Sequence, residues 1–280
     1  MKDRRGLQRR RGAGKEHRTS GVLDTFSLKG KVALVTGGAG LYGRQIVAAA
    51  AEAGARTYVA ARHREPLEAL AAGHRSAGLD VRALAYDQGE EASVLSLRDA
   101  ILAESGRIDI LVNNAVLRPM KKGYRDEAAM FAESMRVNAT GLFVITRAMG
   151  DVMADQGAGS IINIGSIQGM VGTDPTIYRD TNLSGWYPDY FYHKGAILNF
   201  TRFIASFYGA RGVRCNCVSP GGFRTPDHPE AFVRAYSDRT FLGRLANSTD
   251  LMGAIVFLGS DASLYVTGAN IPVDGGYTAK

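Results

Sequence analysis

Cysteine is scarce in this chain: two among 280 residues, Cys215 and Cys217, in the segment RCNCVSP. Two apart on a strand, they share a face and point the same way, a poor start for a disulfide. With no further cysteine there is no thiolate framework for a metal. Both are expected to be buried thiols in a reducing cytoplasm. Long apolar runs are also missing. None reaches the roughly 20 residues needed to span a bilayer, and none near the N-terminus has the form of a secretory h-region. No membrane partner is expected. Repeats and proline-rich linkers are absent, which leaves no sign of a second core. Lysine is missing over a long stretch as well. Between Lys122 and Lys280 the only one is Lys194.

Charge is unevenly placed. The formal net charge is +7, and eight basic against two acidic residues in Met1–Ser20 supply +6 of it. The rest is near neutral. This leader has few apolar residues and no amphipathic repeat, so residues 1–25 are expected to be disordered. A nucleic-acid or acidic-surface arm would have such a composition. Basic runs alone are weak motifs, so a non-functional extension is the expectation and nucleic acid is not an expected partner.

Apolar residues are plentiful, at 45%, enough for a sizeable core. From Phe26 onward, strand patterns alternate with helical ones. Strands are expected at Lys31–Thr36, Arg56–Ala61, Val81–Ala85, Ile108–Val112, Ser160–Ile164, Val213–Val218 and Asn270–Val273. Helices are expected over Tyr42–Ala53, from about Glu65, up to Glu104, over Glu127–Met153, from near Asp189 to Tyr208, and over Thr249–Leu258. That alternation predicts an α/β fold, a doubly wound parallel sheet of about seven strands in one domain over 26–280.

Two segments carry chemistry. Lys31–Gly43 reads KVALVTGGAGLYG, a buried strand running into a glycine-rich turn and an alanine-rich helix. Such a turn lets the backbone approach a pyrophosphate, whose charge sits at the helix N-terminus. Further on, YFYHK holds Tyr190 and Lys194 four apart, on one helix face, with Ser166 upstream at the end of IINIGS. A free tyrosine titrates near pH ~10 and is a poor base at neutral pH. A lysine ammonium beside it favours the phenolate. The pair with a nearby hydroxyl can pass a proton to or from an alcohol oxygen. Tyr187 and Tyr192 lack a lysine four residues later and are expected to pack or line a wall.

These segments make the chain resemble the short-chain dehydrogenase/reductase family, whose Rossmann-type fold would cover nearly everything from Phe26. The resemblance implies Tyr190 as acid/base, Lys194 as its tuner and ribose ligand, Ser166 as the group that polarises the substrate oxygen, and Asn138 in RVNATG as anchor of a proton-relay water. For the dinucleotide it implies Thr36, Gly37 and Gly43 of the T-G-x-x-x-G-x-G motif. Leu41 stands where the middle glycine belongs, and Gly40 is expected to take over the close approach. Asn114 and Ala115 lie in NNAV, where Val116 replaces a family glycine. Asp87 matches the acidic residue that meets the adenine amine, and Pro220, Gly221 and Thr225 match the loop for the nicotinamide amide. A homotetramer, or at least a dimer, is implied in the same way.

The end of the second strand reads Ala60-Ala61-Arg62, with Arg64 nearby. An acidic residue there would bind a ribose 2′-hydroxyl and repel a 2′-phosphate. Ala61 and Arg62 instead favour a phosphate, so NADP(H) is the preferred cofactor, with NAD(H) possible. Ser166 and Tyr190 are separated by about twice the family's usual spacing. The extra loop is rich in Tyr, Asp, Asn and Arg, and is expected at a pocket rim with a second lid after Thr225. Arg179, Arg224 and His228 are candidates to meet a carboxylate or phosphate. The small-molecule substrate is expected to be polar, sugar-like or a hydroxy acid, in keeping with gluconate 5-dehydrogenase-like members. The alternative is a catalytically silent dinucleotide-binding sensor or scaffold, for which Leu41 and Val116 are the support.

Overall fold

The computed structural model describes residues 21–279. The basic leader over 1–20 lies outside the described residues. The boundary expected at residue 25 falls inside a short 3-10 helix, Val22–Phe26. Phe26 packs its ring 6.2 Å from that of Phe257.

Seven parallel strands form one sheet: β1 (Val32–Thr36), β2 (Arg56–Ala61), β3 (Val81–Ala85), β4 (Ile110–Asn113), β5 (Gly159–Ile164), β6 (Val213–Pro220) and β7 (Asn270–Val273). Their order is β3-β2-β1-β4-β5-β6-β7. The α-helices are α1 (Leu41–Glu52), α2 (Arg64–Ser76), α3 (Glu91–Ser105), α4 (Ala128–Met135), α5 (Leu142–Gln156), α6 (Pro188–Tyr208), α7 (Glu230–Ser237) and α8 (Met252–Gly259). None of the described helices is long and apolar enough to cross a membrane.

Helices cover both faces of the sheet, so its inner strands are buried on both sides and read as continuous apolar runs. Every residue of β1 is buried. Alternate positions feed two cores. Ala33 and Val35 join Ile46, Val47, Leu251 and Ile255 on the α1/α8 face. Leu34 joins Leu111, Ile145, Met149 and Ile204 on the α3/α5/α6 face. Truncating such a side chain to alanine costs about 2–5 kcal/mol. Cys215 and Cys217 are both free and buried.

The long helix expected over Glu127–Met153 is interrupted. Between α4 and α5 the chain opens into a wide turn, Arg136–Gly141, with π-helical geometry. Such turns insert one extra residue and often mark functional positions. Asn138 sits within it. A further helix, α7, lies in the stretch expected only to form a lid.

The strand order reverses between β1 and β4, which are adjacent while β2 and β5 lie outside them. In an open parallel sheet that reversal leaves a crevice at the carboxyl ends of the strands. The chemistry-bearing segments converge there.

Candidate active site

The crevice holds a cleft of about 670 Å³. One wall is the glycine turn. Thr36 ends β1, and its hydroxyl donates to the Val112 carbonyl at 3.2 Å. The same oxygen accepts from the N–H groups of Asn114 and Ala115, each at 3.0 Å. The Asn114 amide donates back to the carbonyls of Thr36 and Gly37 at 3.0 and 2.9 Å. The ends of β1 and β4 are thus latched together.

Gly37 has φ +66°, and a Cβ there would stand 2.7 Å from Ala115 Cα. At Gly43 a Cβ would stand 2.3 Å from the Gly37 carbonyl oxygen. Only glycine fits either place. Gly40 is different, because its Cβ would meet the Gly37 oxygen at 3.4 Å. It caps α1 without needing to be glycine on packing grounds. The tightest contacts in the turn belong to Gly37, Gly43 and Gly38, the last unmarked in the sequence reading. Leu41 and Val116 are both exposed, so neither side chain closes the cleft. Among the described residues, no Asp or Glu lines it. Bare backbone at a helix N-terminus, free of acidic side chains, fits a dinucleotide pyrophosphate.

A recess of about 190 Å³ continues past Gly37 and Ala61 to Arg62, Asp87 and Gln88. Arg62 is exposed there. Asp87 turns one carboxylate oxygen to the Gly89 N–H at 2.8 Å. On the other side, Pro220 and Gly221 line the cleft, whereas Thr225 does not. The Tyr42 hydroxyl donates to the Gly221 carbonyl at 2.7 Å and ties the glycine turn to that loop.

Helix α6 carries Tyr190 and Lys194. Pro188 starts its first turn, where a missing N–H costs nothing. Lys194 is buried, and its Nζ donates to the Ile164 carbonyl at 2.5 Å. That nitrogen lies 5.6 Å from the centre of the Tyr190 ring. Burial pulls the Lys194 ammonium below the ordinary lysine range, opposed by the Tyr190 phenolate. Burial alone would raise the Tyr190 phenol. Lys194, Arg118 and hydrogen bonding with Ser166 overcome it, and the phenol ends below its ordinary value. Ser166 stands at the end of β5 with its hydroxyl oxygen accepting from the Gln168 N–H at 3.1 Å. His193 packs edge-on to Tyr190, with ring centres 5.2 Å apart. Burial, then Lys194 and Arg118, push its imidazole down to about 3.

Two groups at this centre escaped the sequence reading. One is Arg118, whose guanidinium lies 4.1 Å above the Tyr190 ring. It follows the NNAV segment in a stretch with no regular structure, and nothing in the local pattern marks it. The other is His193, hidden inside the motif itself. Asn138 is brought close, but its side chain is fully engaged. Its amide donates to the Leu117 carbonyl at 2.6 Å and to Ser134 Oγ at 3.0 Å, and its oxygen accepts from the Leu117 N–H at 2.8 Å.

The loop between Ser166 and Tyr190 does form a rim, contributing Gln168 and Tyr178 to the cleft. It is clipped to the turn that follows α7, where Arg239 donates to Asp174 and Thr176. Helix α7 supplies Phe232 and Tyr236 to the opposite wall. Of the three basic candidates at the substrate end, His228 lines the cleft. Arg224 is paired with Glu230 at 2.8 Å, and Arg179 is exposed outside the lining.

Comparison with known proteins agrees with this geometry. The family model described as Enoyl-(Acyl carrier protein) reductase matches residues 40–278. D-threitol dehydrogenase of Mycolicibacterium smegmatis is 35% identical over 264 residues, covering 91% of this chain and 95% of the relative. Galactitol 2-dehydrogenase (L-tagatose-forming) of Cereibacter sphaeroides is 33% identical, covering 90% and 97%. Among solved structures, a gluconate 5-dehydrogenase from Burkholderia cenocepacia, in complex with NADP and tartrate, superposes with a TM-score of 0.83. It is 32% identical and the match covers 92% of this chain and 99% of that one. The seven-stranded doubly wound sheet, the glycine turn and the tyrosine–lysine helix together with these matches show that the chain belongs to the short-chain dehydrogenase/reductase family of oxidoreductases.

Proposed function

We propose that this chain is an NADP(H)-preferring oxidoreductase that interconverts an alcohol and a carbonyl on a small, polyhydroxylated acid. The observation that carries the substrate class is Arg118. Its guanidinium sits over Tyr190, at the reacting end of a cleft with no Asp or Glu in its lining. An anionic group beside the reacting carbon would satisfy it, and a paired guanidinium–carboxylate contact is strong. Gln168, Tyr178 and His228 add polar partners for hydroxyls.

In the oxidative direction the Tyr190 phenolate takes the hydroxyl proton while Ser166 holds the oxygen. In the reductive direction Tyr190 returns that proton. Lys194 and Arg118 favour the phenolate and hold the Tyr190 phenol below its ordinary value. A nicotinamide, when bound, supplies hydride exchange. Its pyrophosphate would lie on the turn at Gly37–Gly43, and Arg62 beside Ala61 would hold a 2′-phosphate, which supports the NADP(H) preference. The exposed rings of Phe143, Phe203 and Phe207 on α5 and α6 support self-association as a dimer or tetramer. Two buried free thiols suit a reducing, cytoplasmic setting.

The test compares kcat/KM for gluconate and tartrate with that for threitol and galactitol, in the native protein and in Arg118→Ala. Losing one charge-assisted contact of about 1.5–3 kcal/mol lowers kcat/KM on the acids roughly 10- to 100-fold. The polyols should share only the loss that comes from the Tyr190 phenol rising without Arg118, so the ratio of acid to polyol kcat/KM should fall about tenfold or more. Equal losses on both classes would refute the anionic substrate.

A further inference from the structure

We infer that Asp189 and Ser134 form a positioning pair that holds the 114–118 loop, and with it Arg118, over Tyr190. Asp189 precedes the acid/base directly and is only 2% exposed. A carboxylate buried this deeply must have partners. Its Oδ2 accepts from Ser134 Oγ at 2.6 Å. Ser134 is fully buried on α4. Its oxygen accepts in turn from the Asn138 amide at 3.0 Å. Asn138 then grips Leu117 from both sides, donating to its carbonyl at 2.6 Å and accepting from its N–H at 2.8 Å. Arg118 is the next residue.

The proton count along this chain makes it directional. The Ser134 hydroxyl donates to Asp189 Oδ2, and a hydroxyl has one proton to give. That leaves a serine lone pair facing Asn138, which must present its NH2 group there. The Asn138 amide is thereby fixed in the orientation whose oxygen faces the Leu117 N–H. Reversed, it would set a donor against a donor at Leu117. Asp189 sits in the first turn of α6, where the helix dipole favours a negative charge. Asp189 thus couples the helix bearing Tyr190 to the loop bearing Arg118 through the side chains of Ser134 and Asn138. The other groups around Tyr190 are Lys194, Arg118, His193 and Ser166.

The kinetic part of the test rests on the oxidoreductase reading; the exchange part does not. In the native protein the Leu117 amide should exchange with solvent slowly. In Ser134→Ala/Asp189→Ala, which leaves no unpaired carboxylate behind, exchange over residues 114–120 should speed up at least tenfold. Exchange in β3, on the far edge of the sheet, should stay as it was. Turnover should fall at least tenfold, and the pH midpoint for kcat should move upward as Arg118 leaves the phenol. Asp189→Asn, which keeps an acceptor oxygen, should recover most of the turnover. Unchanged exchange and pH midpoint in the double variant overturn the inference. So does Asp189→Asn behaving as badly as the double variant, since charge rather than position would then be at work. Should the double variant not fold, fast exchange at Leu117 in the native protein overturns it and slow exchange supports it. A native protein without turnover but with the expected exchange pattern would count against the enzymatic reading alone.

Discussion

His193 should make the fold sensitive to acid well above the range where carboxylates titrate. Its side chain is 4% exposed, and its Nε2 is buried without a partner. Burial, then the neighbouring charges of Lys194 and Arg118, hold the imidazole down to about 3, against 6.5 for the free group. The folded-state value is depressed, so the unfolded chain takes up a proton first as pH falls. The associated stability is complete above about pH 6.5 and is lost as pH falls towards 3. Each pH unit inside that window costs up to about 1.4 kcal/mol, so the loss between pH 7.5 and pH 5 is about 2 kcal/mol. The assay is urea unfolding of the native protein and His193→Leu at both pH values. A leucine removes the titration and the unpaired nitrogen at similar volume. Comparing the two pH differences cancels any constant effect of the substitution. His193→Leu should lose about 2 kcal/mol less than the native protein over that interval. Equal losses in the two proteins would refute the reasoning.

Tyr190→Phe should retain NADPH binding and lose about 10²- to 10⁴-fold in kcat, since the acid/base is removed with the ring in place; normal turnover in stopped-flow assays would contradict its role. Because the Tyr190 phenol is lowered, alcohol oxidation should rise with pH through a midpoint below 10, and carbonyl reduction should fall through the same one. Ala61→Asp should shift the NADPH/NADH preference towards NADH by about tenfold or more, because a carboxylate repels the 2′-phosphate; an unmoved ratio in a fluorescence titration would dismiss the 2′-phosphate site. Asp174 is held down to about 2 by hydrogen bonds from Thr176 and Arg239 that outweigh its burial. Its contribution is present above about pH 4 and lost as pH falls towards 2, and screening at this partly exposed pair leaves on the order of 1 kcal/mol. Asp174→Ala should therefore raise substrate KM several-fold with little change in kcat, as the rim loop loosens from α7.

Local periodicity carried the strands. Val, Leu, Ile and Ala runs bounded by glycine or a polar residue marked every sheet strand near its observed limits, because strands buried on both faces read as continuous apolar runs. Tyr190, Lys194 and Ser166 were legible because a fixed spacing on one helix and one strand end defines them. Position along the chain does not define the rest. Arg118 reaches Tyr190 only because Asn138 pins Leu117, an arrangement made by three separate segments. The π-turn at Arg136–Gly141 was read as plain helix, since its apolar pattern continues through it and the distortion comes from tertiary hydrogen bonds. Within the protein, the contacts that exclude a side chain from the glycine turn fall at Gly37, Gly38 and Gly43, which no local pattern distinguishes from Gly40. Arg179 and Arg224 were singled out by composition alone. Arg179 is not among the residues that line the cleft, and Arg224 pairs through one guanidinium nitrogen with Glu230.

The most direct test of the central claim is a steady-state assay of the purified chain with NADP⁺ and NAD⁺, each against gluconate, tartrate, threitol and galactitol. Turnover with NADP⁺ on an acid, at a kcat/KM at least tenfold above the polyols and above the NAD⁺ reaction, is the expected result. Turnover confined to neutral polyols, or a preference for NAD⁺, would contradict the roles given to Arg118 and Arg62.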